Sequence, residues 1–366
     1  MNEWAEQGAL GKGAVDDFWL LENHRPFVKA AETARSLAAT AGGSAPTRFV
    51  LPGLTLDVHC MDAVLMDLMT CAFAHRRTAD RAPRAETFDW HIISDAGLGD
   101  VLSLPAPKVP LGRYGILQYS AHNTVLVERR AGFCTVFEPK EQRFTTLVAQ
   151  AELIDNDVRA KPLLRFLYGL SYRAGFVMVH AAVLGVPDRG LLVTGLSGAG
   201  KSTLSAAALE VGATFVSDDF VLLRAEATGY RAHSLYASAL ITDKSLAMVP
   251  GLAGRTLPPQ SDAPWQKHLI NVVETYPSAC ITSLPLKGLA MLERRAEGGV
   301  VIEPVGKADL LRVLAPTSIL ASPWREPSRG QAIFDVVGAL PTFKFTAGTN
   351  TLENARCLVE FVRNAD

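Results

Sequence analysis

One short stretch of the sequence decides the fold, and it is Gly195-Leu196-Ser197-Gly198-Ala199-Gly200-Lys201-Ser202. It fits the pattern G-x-x-x-x-G-K-[ST] at every fixed position. Glycine-rich backbone can approach a polyphosphate closely and point its N–H groups inward. The stretch therefore predicts a loop that binds the phosphate groups of a nucleotide, and we call residues 195–202 the phosphate loop.

The residues on both sides of the phosphate loop have the patterns that this motif requires. Residues 190–194 form a compact apolar run, which predicts a buried strand before the loop. Residues 202–210 are rich in helix formers and are followed by Gly212, which predicts a helix after it. Such a helix adds free N–H groups and the positive end of its dipole to phosphate binding. We therefore predict a strand, the phosphate loop and a helix in succession.

The loop and the first helical turn supply the predicted contacts to the nucleotide and the metal ion. We expect Lys201 to reach the β- and γ-phosphates and the Ser202 hydroxyl to ligate Mg²⁺. The full set of predicted nucleotide contacts is Gly195, Ser197, Gly198, Ala199, Gly200, Lys201, Ser202 and Thr203.

A second strand pattern ends in two adjacent carboxylates. Residues 213–217 are followed by Asp218 and Asp219. In a parallel sheet, the carboxyl end of this strand lies at the same edge as the phosphate loop, which is where ligands collect. One aspartate could accept the proton of an attacking hydroxyl while the other helps to hold Mg²⁺. Both are candidate catalytic residues, with Asp219 as the candidate metal contact; the alternative is an aspartate-rich turn without a chemical role.

His180 lies inside the apolar run 176–186, one strand before the phosphate loop. A histidine on a buried strand is more often a hydrogen-bonded core residue than a catalytic one. The residue pattern alone therefore favours a structural role for His180.

Three segments together resemble the catalytic domain of HPr kinase/phosphorylase: His180-Ala181-Ala182-Val183, the phosphate loop, and Phe215-Val216-Ser217-Asp218-Asp219. They are similar above all to the HPr-kinase-related enzymes of peptide natural-product clusters, including those that phosphorylate lasso-peptide precursors. The resemblance implies a P-loop kinase core of the HPr kinase/PEP carboxykinase type, with ATP as the nucleotide. It also implies that His180 contributes to the active site. Thr203 departs from the pattern, because the HPr enzymes usually carry Glu there.

Length and composition indicate more than one globular core. The chain has 366 residues, of which 48% are hydrophobic and 20% charged. We predict an α/β fold with a preceding α+β region: residues 1–155 form an accessory or substrate region, and residues 156–366 form the catalytic domain. Short β-rich runs in 115–148 predict an antiparallel meander, and helical spacing predicts helices over 61–75 and 160–174.

Charge and hydropathy argue against two classes of partner. The sequence has 36 Lys+Arg against 37 Asp+Glu, so it lacks the basic excess that binding to nucleic acid or to an anionic membrane needs. The apolar run 176–186 is too short to span a bilayer, and the acidic start does not have the pattern of a secretory signal. We therefore predict a cytoplasmic protein. The resemblance leaves homo-oligomerisation open, since HPr kinases are hexamers but no residue here requires that state.

The leading hypothesis is an ATP- and Mg²⁺-dependent kinase that phosphorylates a hydroxyl on a peptide or small protein. The favoured hydroxyl is that of Ser, and a ribosomal natural-product precursor is one such acceptor. One alternative is a small-molecule kinase with the same core. Another is a nucleotide-binding switch or ATPase module. A kinase transfers phosphate to an added acceptor, whereas a switch hydrolyses ATP slowly whatever peptide is present.

The segment 243–271 is rich in Pro and Gly, and a loop of this length next to a phosphate site is often a mobile lid or a substrate clamp. Within it, Lys267 and Arg255 are candidates for neutralising charge on the transferred phosphoryl group. The alternative is ordinary surface charge.

Overall fold

The computed structural model describes residues 17–42, 45–80, 85–95, 97, 116–119, 123–128, 131–261, 266–295, 297–320 and 327–365. They form two compact units. The first takes its described residues from Met1–Cys71 and Arg77–Arg159, and the second from Ala72–Arg76, Ala160–Ser322 and Glu326–Asp366. The predicted boundary at residue 155 lies close to Arg159, but the short segment Ala72–Arg76 joins the second unit from far earlier in the chain.

Among the described residues, the first unit forms a seven-stranded mixed sheet in the order β1-β2-β3-β7-β6-β5-β4. Its elements are α1 (Asp17–Thr40), β1 (Thr47–Leu51), β2 (Leu54–His59), α2 (Ala63–Thr70), β3 (Glu86–Ser94), β4 (Ile116–Tyr119), β5 (Thr124–Glu128), β6 (Phe133–Glu138), β7 (Arg143–Val148) and α3 (Asn156–Ala160), which reaches the boundary.

In the first unit, the turn and strand patterns of the sequence are found as a hairpin and a meander. The Pro52-Gly53 turn joins β1 to β2 as an antiparallel hairpin, with Gly53 at a φ of 86°. Strands β4 to β7 are antiparallel neighbours, which confirms the predicted meander. Strand β7 then pairs in parallel with β3, so the meander is joined to the rest of the sheet. Helix α1 covers this sheet through a core that includes Phe27, Ala31 and Val136.

The second unit contains a larger mixed sheet. Its described strands run in the order β11-β9-β10-β16-β13-β12-β8, and β18 and then β17 continue from β16. Its elements are α4 (Leu164–Arg173), β8 (Val177–His180), β9 (Ala182–Val186), β10 (Arg189–Thr194), α5 (Lys201–Glu210), β11 (Thr214–Ser217), β12 (Phe220–Glu226), β13 (Gly229–Ser234), β14 (Ser238–Ile241), α6 (Asp243–Ala247), β15 (His268–Asn271), α7 (Val272–Thr275), β16 (Ser283–Arg294), β17 (Val301–Pro304), α8 (Lys307–Leu320), α9 (Pro327–Ala339), β18 (Thr342–Ala347) and α10 (Thr351–Asn364).

The sheet around the phosphate loop is mixed where we predicted a parallel one. The apolar run 176–186 divides at Ala181 into β8 and β9, and these two strands lie at different positions in the sheet. Strand β9 lies antiparallel between β10 and β11. Because β10 and β11 are both antiparallel to β9, they run in the same direction. Their carboxyl ends therefore still lie at one edge of the sheet.

Helices cover both faces of this sheet. On one face, α5 and α10 contribute Leu204 and Leu358 to a core with Phe215 of β11. On the other face, α8 and α9 contribute Leu314 and Val336 to a second core. This helix–sheet–helix arrangement confirms the predicted α/β class. No helix among the described residues is long and apolar enough to cross a membrane.

Candidate active site

The phosphate loop joins β10 to α5. Strand β10 ends at Thr194 and helix α5 begins at Lys201, as the sequence predicts. Within the loop, Gly198 has a φ of 82° and Gly200 a φ of 101°, in the left-handed region that favours glycine. The Ala199 N–H donates to the Leu196 carbonyl at 3.0 Å and closes a tight turn. The motif glycines are therefore needed to bring the backbone from the sheet edge to the helix.

The N-terminus of α5 is open to an anion. Gly200 provides no side chain to cap it, so the N–H groups of its first turn have neither a capping side chain nor an intrahelical partner. The Lys201 ammonium donates to the Gly195 carbonyl at 2.9 Å, across the mouth of the loop. Burial lowers the pKa of Lys201 and nearby Lys267 adds to this, while Asp219 and Asp218 oppose it. The region combines a helix dipole with a partly desolvated cation, which is the electrostatic environment that a phosphate group needs.

Asp218 lies at the carboxyl end of β11, at the same edge as the phosphate loop. It is only 2% exposed, and its Oδ1 has no hydrogen-bond partner among the described residues. Burial raises the pKa of Asp218, and the charge of Asp219 adds to the rise, whereas the hydroxyls of Ser205 and Ser202 and the charge of Lys201 oppose it. Burying a carboxylate oxygen without a hydrogen-bond donor costs free energy unless a cation or a donor from a ligand contacts that oxygen.

Asp219 points instead towards two basic side chains. Its Oδ1 lies 2.6 Å from His180 Nε2, and its Oδ2 accepts a hydrogen bond from Lys161 Nζ at 2.7 Å. Burial by itself raises the pKa of Asp219, but the charge of Lys161 and the hydrogen bond and charge of His180 outweigh it. The pKa of Asp219 is therefore held well below its usual range. This carboxylate is fixed in position and stays ionised.

The partners of Asp219 are themselves held in place. His180 pairs with Phe220 across β8 and β12, and the two rings stack with centroids 5.1 Å apart. Its backbone N–H donates to Ser318 Oγ at 3.0 Å. The segment that carries Lys161 is fixed by Tyr236, whose hydroxyl donates to the Pro162 carbonyl at 2.8 Å. His180 is therefore part of the polar cluster at the sheet edge and not only of the core.

A small cavity of about 40 Å³ lies between the phosphate loop and the acidic pair. The polar residues that line it are Lys161, Ser202, Ser217, Asp218, Asp219, Tyr236, Ser238 and Lys267. Lys267 therefore lies where the lid hypothesis requires a cation. Arg255 does not line this cavity: it donates to the Thr275 carbonyl and stacks on Tyr276 at 4.5 Å.

The structure brings the predicted residues of three separate strands to one sheet edge. His180, the phosphate loop and the two aspartates meet there, but the aspartates diverge: Asp218 faces the phosphate loop, and Asp219, the candidate metal contact, faces His180. Sequence reasoning missed Lys161, since a single lysine at the start of the predicted helix 160–174 carries no local signal. The lid segment 243–271 contains ordered elements, α6 and β15, and β15 pairs with β14.

The sequence matches no protein-family profile and none of the curated proteins. Among solved structures, the chain is similar to the Hpr(Ser) kinase/phosphatase from Coxiella burnetii, with 15% sequence identity and a TM-score of 0.28. That similarity covers 51% of this chain and 94% of the other.

Proposed function

We propose that this protein is an ATP- and Mg²⁺-dependent kinase with an HPr-kinase-like P-loop core. One observation carries the proposal: the phosphate loop and a buried carboxylate with an unpartnered oxygen, Asp218, lie at the same sheet edge. A phosphate loop alone is compatible with a switch or an ATPase. Two carboxylates lie beside it: Asp218 has an oxygen without a hydrogen-bond partner among the described residues, and Asp219 is held ionised by Lys161 and His180. This pair supports phosphoryl transfer to a hydroxyl.

The residues beside the loop fit a magnesium ion. Mg²⁺ prefers oxygen ligands and usually takes one or two carboxylates together with the phosphates of the nucleotide. Asp218 offers the unpartnered oxygen, and Ser202 lies in the same cavity lining. We therefore propose Ser202 and Asp218 as the metal-facing residues, in place of the pair Ser202 and Asp219. When bound, the ion would neutralise charge on the phosphates.

The division of labour between the aspartates follows from their partners. Each carboxylate oxygen has two lone pairs, so Asp219 can still accept a hydrogen bond from an attacking hydroxyl while it is held by Lys161 and His180. Its depressed pKa makes it a weak base. A loose phosphoryl-transfer transition state does not need a strong base, so orientation of the attacking hydroxyl matters most. Lys201 stabilises charge that develops on the transferred group.

We propose a serine hydroxyl on a peptide or small protein as the acceptor. The cavity beside Asp219 is lined by polar side chains that a hydroxyl can approach. The first unit, with no nucleotide motif of its own, is the proposed region that selects the acceptor. A ribosomal natural-product precursor as the substrate and the cytoplasm as the location stay predictions from the sequence.

The acceptor class is tested by offering the purified full chain ATP, Mg²⁺ and two acceptor sets. One set is a peptide library with a single Ser at varied positions, and its matched control has Ala at each Ser. The other set is a panel of hydroxylated metabolites. We expect acid-stable phosphoserine in the first set alone. Phosphorylation of metabolites alone would instead make the protein a small-molecule kinase.

A further inference from the structure

The end of a strand that carries an arginine lies against the phosphate loop, on the side away from the acidic pair. Strand β16 is the parallel neighbour of β10, with Thr194 opposite Met291. Its last residue, Arg294, therefore lies beyond the end of β10, at the level of the loop, where it still pairs with Ala347 of β18. A Cβ placed on Gly200 would lie 3.5 Å from Arg294 Nε and 3.7 Å from its Cζ. The guanidinium thus lies directly over the residue that precedes Lys201.

The strand pattern explains why Arg294 faces the loop. Alternate residues of a strand share a face, and Leu292 belongs to the core that packs against α5. The loop is also close to this strand at its start, because a Cβ on Gly195 would lie 3.0 Å from the Leu292 carbonyl oxygen. Arg295, the next residue, belongs to the opposite side, and its N–H donates to the Ala347 carbonyl at 3.3 Å.

The charge arrangement around Arg294 is unfavourable in the protein by itself. Its guanidinium forms no ion pair with any described residue; its contact is with Met248 Sδ at 3.8 Å. It lies against Gly200, the residue before the first turn of α5, and so beside the positive end of that helix dipole. A cation beside the positive end of a helix dipole is repelled by it, and an anionic group between the two would remove that repulsion.

We propose that Arg294 is a nucleotide-binding residue that contacts the phosphate groups from the β16 side of the loop. This inference rests on the proposed function, since it takes the polyphosphate of a nucleotide as the anion. Lys201 and the helix N-terminus hold the phosphates from one side, and the planar guanidinium offers several N–H donors from the other. The acidic pair then lies opposite, where the acceptor enters.

The test measures the dissociation constants of ADP and of inorganic tripolyphosphate by calorimetry on the full-length protein. The variants are Arg294→Gln, Arg294→Lys and, as the matched control, Arg295→Gln. We expect Arg294→Gln to weaken both probes about tenfold or more, the usual size for a hydrogen bond between charged groups. Arg294→Lys should recover part of that loss, and Arg295→Gln should change either affinity by less than about twofold. Melting temperatures should match the wild type, because Arg294 is exposed.

The outcomes separate this inference from the function on which it rests. If the wild type binds both probes and Arg294→Gln binds them as tightly as Arg295→Gln does, Arg294 does not contact the phosphates. If Arg294→Gln weakens ADP but not tripolyphosphate, the arginine contacts the nucleoside and the inference is also wrong. If the wild type binds neither probe, the proposed function fails and the inference fails with it.

Discussion

Lys161→Met removes one of the two cations that hold Asp219 and keeps a side chain of similar length. Lys161 Nζ lies 2.7 Å from Asp219 Oδ2, and the two side chains are 10% and 32% exposed. Exposed ion pairs contribute about 0.2–1 kcal/mol to stability, whereas breaking a fully buried pair costs about 3–5 kcal/mol. Because solvent screens the partly exposed Asp219, we expect Lys161→Met to lower the free energy of unfolding by about 1–2 kcal/mol.

The pH dependence of this loss has a definite sign. Burial raises the pKa of Asp219, but Lys161 and His180 outweigh it and depress the pKa in the folded protein. A depressed carboxylate pKa stabilises the fold above the unfolded pKa of about 4, and the stabilisation is lost as pH falls through the folded pKa. The difference between wild type and Lys161→Met should therefore be full at pH 7 and should shrink only once pH falls to the pKa of Asp219 in the folded variant, as urea unfolding at a series of falling pH values would show.

The activity of the same variant gives a second measurement. With Lys161 absent, Asp219 is held by His180 alone, and we expect phosphoryl transfer to fall about tenfold through misorientation of the carboxylate. The control is the double variant with Asp219→Asn, in which Lys161→Met should have little further effect on transfer. If Lys161→Met lowered activity equally in both backgrounds, the lysine would not act through Asp219 and our reasoning would be refuted.

Three further predictions concern the other residues of the site. Lys201→Ala should lower turnover by about 10²-fold or more without a change in melting temperature, as steady-state kinetics and calorimetry would show. Asp218→Asn should raise the Mg²⁺ concentration for half-maximal transfer, and an unchanged Mg²⁺ titration would exclude it as the metal-facing residue. His180→Asn should lower transfer about tenfold while ADP affinity stays unchanged, since His180 contacts Asp219 and not the phosphate loop; weaker ADP binding would contradict this.

The parts of the fold that the sequence predicts are those with local causes. Residues 195–202 require glycine conformations and a helix start that neighbouring residues specify, so the order of β10, loop and α5 follows from the pattern. The hairpin at Pro52-Gly53 is predictable for the same reason. Both depend on backbone preferences within a few residues.

The parts that the sequence does not predict depend on contacts between distant residues. An apolar run shows that a strand is buried but not which neighbour it pairs with, so the division of 176–186 into β8 and β9 was missed. Lys161 meets Asp219 across 58 positions of the chain, and Arg294 reaches Gly200 from another strand. The opposite directions of Asp218 and Asp219 depend on which groups surround them after folding, and those groups come from separate elements.

The central claim is that the phosphate loop and the acidic pair form one site for phosphoryl transfer to a hydroxyl. The most direct measurement follows the labelled γ-phosphoryl of ATP in the presence of Mg²⁺ and a serine peptide, and divides it between the acid-stable phosphopeptide and free phosphate. We predict that the wild type transfers label to the peptide and that Asp219→Asn lowers the rate of this transfer by about 10²-fold. Label that appears only as free phosphate, at the same rate with and without the peptide, would contradict the claim.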